Sequence, residues 1–120
     1  MQTIDVIEDD PPMRTLLLEW LADAGYRVRV HGDLAAPVRL AADVVVVDLS
    51  SLPSQGPEAI HEVRDRFSPR VVIGLSTRLL HSLSGESLQA RALGLDGLLP
   101  KPCSRQALVV AVQRALERAR

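Results

Sequence analysis

Acidic side chains gather at two places in this 120-residue chain where apolar runs stop. Ile4-Asp5-Val6-Ile7 leads into Glu8, Asp9 and Asp10, and Val44-Val45-Val46-Val47 leads into Asp48. Short apolar runs of this kind read as strands covered on both faces. The acids then fall at the rim of a sheet, facing water and one another. Carboxylates held that close repel, and a cation relieves the repulsion. A carboxylate can also act as a nucleophile. Taken singly, each residue has a plainer alternative. Asp48 can be an ordinary strand-end carboxylate, and Glu8 and Asp9 can favour the positive end of a following helix. Lys101 can be a solvated turn residue between two prolines, and Ser76 a helix cap.

The elements that must position these residues follow from periodicity. Residues 3–8 form a first strand. Asp10 caps a helix whose first turn holds Pro11-Pro12. Met13, Leu16, Leu17, Trp20, Leu21 and Ala24 make its apolar stripe, and Gly25 stops it. Val28 and Val30 alternate with Arg27, Arg29 and His31, as in a partly exposed edge strand. Residues 33–42 suit a short helix weakened by Pro37. Residues 43–48 are the clearest buried strand, and 49–56 a Ser/Pro-rich loop. A helix over 57–67 turns Ile60, Val63 and Phe67 to one face. Residues 70–75 are a fourth strand ending at Ser76-Thr77, and 78–84 have no clear assignment. A helix over 85–93 closes at Gly94, and a brief strand over 97–99 runs into Pro100-Lys101-Pro102. Ser104 caps a last helix with Leu108, Ala111, Val112, Ala115, Leu116 and Ala119 inward. Val109 and Val110 lie partly off that face, as a homodimer surface or as tolerated surface valines. Strand and helix alternating five times with short connections predict an α/β fold, its parallel strands joined by right-handed crossovers with helices on both faces.

Composition narrows the function classes. Residues 1–120 read as one domain, 47% hydrophobic with a net charge of −1, which gives no general pull toward nucleic acid or a membrane. No apolar run approaches a membrane span, and Met1-Gln2-Thr3 lacks the basic start of a secretory signal. Cys103 is the only cysteine, so no internal disulfide forms and a cytoplasmic location is expected. It reads as a small buried apolar residue. With one Trp, one Tyr and one Phe, the chain has no base-stacking platform. His31, His61 and His81 lack metal-ligand spacing and read as surface residues.

Four motifs give these pieces a joint meaning: Val6-Ile7-Glu8-Asp9-Asp10-Pro11, Val47-Asp48, Gly74-Leu75-Ser76-Thr77 and Leu99-Pro100-Lys101-Pro102. Each is weak alone. Their order, at the ends of four different strands, resembles the receiver domain of bacterial two-component response regulators over essentially the whole chain. The resemblance implies a doubly wound, flavodoxin-like, five-stranded parallel sheet of order 2-1-3-4-5, whose switch point lies between strands 1 and 3. It implies Asp48 as phosphoryl acceptor and Mg²⁺ as cofactor. Asp9 would be the direct ligand with Asp48, Glu8 would act through water, and the backbone carbonyl of Ser50 would complete the protein share. Asp10 would stand outside the metal site. Lys101 and Ser76 would bind phosphoryl oxygens, and the chain would be a switch rather than an enzyme. The implied partners are a sensor histidine kinase or phosphotransfer protein, then a downstream protein or fused output domain. The chain would stand alone or be part of a longer protein.

Four features depart from the family pattern. Pro53 comes one residue later after Asp48 than the family's proline. Leu98 takes the place of the switch aromatic. The stretch at 78–85 is a few residues longer and brings Leu79, Leu80 and Leu83, packed under the loop or left as an apolar partner patch. Asp5 puts a charge inside the first strand, with no partner evident from sequence. Two other functions compete. A receiver-like docking module that is not phosphorylated fits the altered loop and Leu98. A flavin or nucleotide enzyme on the same fold conflicts with Glu8-Asp9-Asp10-Pro11-Pro12, a glycine-free loop that repels phosphate.

Overall fold

A computed structural model of the chain describes residues 1–33, 41–54, 56–79, 83–85 and 87–119. The strands are β1 (Thr3–Ile7), β2 (Arg27–His31), β3 (Val44–Asp48), β4 (Val71–Ser76), β5 (Leu83–Ser84) and β6 (Gly97–Pro100). The helices are α1 (Pro11–Asp23), α2 (Pro57–Phe67), α3 (Leu88–Leu93) and α4 (Arg105–Arg118). The short helix expected over 33–42 lies mostly outside the described residues, as do Leu80 and His81.

One sheet runs β2-β1-β3-β4-β6-β5. Its first five members are parallel and reproduce the expected order, β6 being the fifth strand of the sequence reading. The sixth is an addition. Leu83 and Ser84 pair antiparallel with Leu98 and Gly97 and cover the far edge of the sheet. Here the lengthened stretch after Ser76 becomes sheet.

The valine run of β3 shows why the sheet is covered twice. Val44 and Val46 face Leu17 and Leu21 of α1 and Leu108, Val112, Ala115 and Leu116 of α4. Val45 and Val47 face Ala59, Ile60, Val63 and Phe67 of α2, with Ala90 of α3 and Leu98. Strand side chains alternate between faces, so an apolar run serves both cores at once. Gly74 allows close packing on the second face, since a Cβ there would lie 2.8 Å from Leu95 Cδ1 and 3.2 Å from Leu98 Cδ1.

Helix ends follow the sequence signals. Asp10 accepts the Met13 N–H, and Ser104 accepts the Ala107 N–H. Leu16 and Ala24, placed on the inner stripe of α1 by periodicity, are exposed, as is Ala119 after α4. The helix expected over 85–93 begins only at Leu88, because the Ser87 hydroxyl caps it through the Ala90 N–H at 3.1 Å.

Asp5 finds its partners across the β1–β2 ladder, where it stands in register with Arg29. Arg29 Nε–H donates to Asp5 Oδ1 at 2.9 Å and its Nη2 to Oδ2 at 2.6 Å. The same Nη2 reaches the Ala41 carbonyl at 2.8 Å. His31 Nε2 lies 2.8 Å from Asp5 Oδ1. His31 is therefore no free surface residue. Its ring is held between Asp5 and the Phe67 ring, 5.3 Å away and tilted by 60°. His61 is exposed as expected.

Candidate functional site

Parallel strands end together, so the residues just past β1, β3 and β6 share one rim. Backbone bonds extend the ladders one step beyond the strands. Glu8 N–H donates to the His31 carbonyl at 2.9 Å, and Lys101 N–H to the Ser76 carbonyl at 2.9 Å. These bonds fix where the Glu8 and Lys101 side chains leave the backbone. Glu8 and Asp48 are buried, whereas Asp9 faces solvent. One carboxylate oxygen from each lies within 4.8 Å of the other two. Lys101 Nζ sits 2.6 Å from Glu8 Oε1 and 3.2 Å from Asp48 Oδ2. Four residues from three distant parts of the sequence thus converge.

Asp48 is held on every side. The Ser50 N–H approaches Oδ1 at 3.3 Å, and the hydroxyls of Ser50 and Ser51 both donate to Oδ2 at 2.8 Å. Residues 49–51 form a single 3-10 turn that this carboxylate caps. Sequence reasoning had assigned Ser50 only a backbone role and had passed over Ser51. The signal was there: an Asp followed closely by two serines at a strand end is a turn-capping pattern. Arg14 was also missed. Its Nη1 donates to the Glu8 carbonyl at 3.2 Å and steadies the first loop.

The charges shift one another. Burial pushes the Glu8 carboxyl above its ordinary range; Lys101 opposes this, and the nearby Asp48 charge adds to it. Burial also pushes Asp48 upward, but its bonds to Ser50, Ser51 and Glu8 and the Lys101 charge outweigh that and leave it below the ordinary range. Burial lowers Lys101, and the two carboxylates more than reverse it, so the ammonium persists beyond its usual range. Two neighbouring acids in low dielectric divide in this way, one keeping its proton more readily than the other. Burial likewise raises the Cys103 thiol, which packs against the α1 and α4 core as a small apolar side chain.

Asp10 stands apart, its carboxylate capping α1. Ser76 lies at the end of β4, its hydroxyl oxygen accepting the Arg78 N–H at 3.1 Å. The residues present fit a hard divalent cation. Glu8 Oε1 is buried and, though close to the ammonium, accepts no directional hydrogen bond among the described residues. Asp9 adds an exposed carboxylate beside it. Oxygen donors that leave room for water suit Mg²⁺.

Comparisons with known proteins point the same way. A family model described as the response regulator receiver domain matches residues 4–113. The DNA-binding transcriptional regulator NtrC of Azospirillum brasilense is 29% identical over 119 residues, which cover 95% of this chain and 24% of that protein. The regulatory protein VirG of Rhizobium radiobacter is 26% identical over 115 residues, covering 92% of this chain and 42% of its own. The chain therefore spans less than half the length of these curated relatives. Among solved structures, the chemotaxis response regulator CheY4 of Vibrio cholerae superposes with a TM-score of 0.75 at 27% identity, covering 96% of this chain and 98% of that one. The Francisella response regulator 1452 receiver domain shares the fold, with a TM-score of 0.78 at 21% identity and full coverage of both chains. Among the described residues, no helix is long and apolar enough to cross a membrane.

Proposed function

This chain belongs to the response regulator receiver domain family, and on that premise we propose that it is a phosphoacceptor switch. Asp48 takes a phosphoryl group from the phosphohistidine of a sensor kinase or phosphotransfer protein. A carboxylate oxygen forms the new O–P bond while the N–P bond breaks, and the imidazole nitrogen leaves with the electron pair. The modified domain then changes its affinity for a downstream protein or a fused output domain, in the cytoplasm and without direct contact to nucleic acid. The observation that carries this reading is the convergence of Glu8, Asp9, Asp48 and Lys101 at the ends of three strands.

Asp9 and Asp48 would hold Mg²⁺ directly and Glu8 through water, with the Ser50 carbonyl completing the protein share. The ion supplies neutralising charge, which phosphoryl transfer needs more than it needs covalent help. Lys101 would turn an N–H toward a phosphoryl oxygen. The Ser76 hydroxyl, now accepting from Arg78, would donate its own proton to another oxygen and draw the β4–α3 connection inward. Sedimentation of the phosphorylated and unmodified forms reads out whether Val109 and Val110 serve a homodimer or are tolerated surface valines.

Acetyl phosphate and Mg²⁺ provide the test. Intact mass should show an acid-stable, base-labile phosphoryl adduct that is absent in Asp48→Asn. A second reading, a docking module that is never phosphorylated, is favoured by one observation. Leu98, at the switch position, is buried in the second core and has no ring to rotate. Failure of the unmodified protein to form the adduct would support that alternative.

A further inference from the structure

Asp9 reaches the pocket from the loop after β1 and Asp48 from the end of β3, and one side chain holds both. The Ser51 hydroxyl donates to Asp48 Oδ2 at 2.8 Å and accepts the Asp9 backbone N–H at 3.1 Å. A hydroxyl offers one proton and two lone pairs, so the two bonds coexist as a relay from the Asp9 backbone to the Asp48 carboxylate. Ser50 makes an equally short bond to the same oxygen, yet among the described residues none of its bonds reaches the Asp9 loop. The two serine hydroxyls are therefore matched in their contact with Asp48 and differ in the link to the Asp9 loop.

Like charges drive this pocket apart. A neutral bridge that accepts from one loop and donates to Asp48 opposes that spreading. Adjacent ligands of an octahedral Mg²⁺ with bonds of about 2.1 Å lie about 3 Å apart. The acidic oxygens lie within 4.8 Å of one another, so the two acids must be drawn closer, not spread, for one ion to reach both. We propose that Ser51 is a positioning residue for cation binding, its hydroxyl fastening the Asp9 loop beside Asp48 so that the two acids can share one Mg²⁺. The inference rests on the metal-binding part of the function proposed above and not on phosphorylation itself.

Calorimetric titration of Mg²⁺ into the whole chain, with no phosphodonor, tests it. Loss of one such hydrogen bond should weaken binding about three- to tenfold in Ser51→Ala. Ser51→Thr keeps the hydroxyl and should return to within about twofold of the parent. Ser50→Ala removes a matched bond but no link between loops and should shift the Kd less than Ser51→Ala. A merely structural role would instead lower the metal-free melting midpoint and leave the Kd in place. A Kd within about twofold of the parent in Ser51→Ala, or a shift in Ser50→Ala as large as in Ser51→Ala, overturns the proposal. A parent chain that takes up no Mg²⁺ overturns both this and the metal site. The expected Kd pattern without any acetyl-phosphate adduct supports Ser51 and defeats the phosphoacceptor reading.

Discussion

The two ends of the Asp5–Arg29 pair are not equivalent, and removing them should not cost the same. Asp5 is wholly enclosed, while the Arg29 side chain is 36% exposed. Arg29→Leu takes two charged hydrogen bonds from a buried carboxylate and leaves it His31 alone. Breaking a buried pair from one side costs about 3–5 kcal/mol. The solvent around the guanidinium discounts the original pair, and His31 remains, so the lower bound of about 3 kcal/mol applies. Asp5→Val does the reverse. It adds an apolar side chain beside Val45, its neighbour in the ladder, and frees Arg29 to swing into water while keeping its reach to the Ala41 carbonyl. That change should cost about 1 kcal/mol or less. In a domain of this size 1 kcal/mol moves the melting midpoint by about 4 °C, so the expected drops are about 12 °C and at most about 4 °C. The double variant should lose no more than Asp5→Val, giving a coupling of about 3 kcal/mol. Urea unfolding followed by circular dichroism supplies all four free energies. An Asp5→Val variant as unstable as Arg29→Leu would refute the reasoning.

The raised Glu8 carboxyl means that the folded protein holds a proton which the unfolded chain releases near the ordinary value of about 4.3. Metal-free stability should then fall as pH rises from there through the raised folded value. Mg²⁺ binds the deprotonated form, so its stabilisation, about 2.7 kcal/mol at a hundredfold excess over Kd, should grow across the same window. Melting curves with EDTA or Mg²⁺ at several pH values check this, and a Mg²⁺ increment independent of pH would contradict it. Lys101→Met leaves two buried carboxylates without their ammonium and should cost about 3 kcal/mol in metal-free buffer. Part of that should return with Mg²⁺, and an equal loss in both buffers would show that the ion does not share the site. Gly74→Ala pushes a methyl toward Leu95 and Leu98 and should cost about 1–3 kcal/mol by overpacking. Chemical unfolding indistinguishable from the parent would show that the second core is looser than drawn.

The sequence made the site's charges and strand ends legible because buried parallel strands write themselves as unbroken valine and isoleucine runs, and the acids that follow must sit at the rim. Asp10 as a helix cap was legible locally, from its place before Pro11-Pro12, and its bond to the Met13 N–H bears that out. Asp5 was visible only as an anomaly. Its partner became apparent once the β1–β2 register placed it opposite Arg29, and register between strands is not a local property. The second strand had been read as a charged edge, yet the arginine and histidine on its inner face serve that carboxylate. β5 escaped because two residues carry no periodicity. Ser51 escaped because the resemblance directed attention to the Ser50 backbone, although the hydroxyls dominate the contacts around Asp48.

The two flanks of the sheet are guarded differently. β2 borders water with Arg27 and a part-exposed Arg29, and long cationic side chains discourage a visiting strand. At the opposite margin, β5 is two residues long and offers a visitor too few backbone groups to template a ladder. Among the described residues, neither margin therefore invites strand addition. Recognition then falls to side chains and helix faces, which leaves it open to single substitutions that do not disturb the fold.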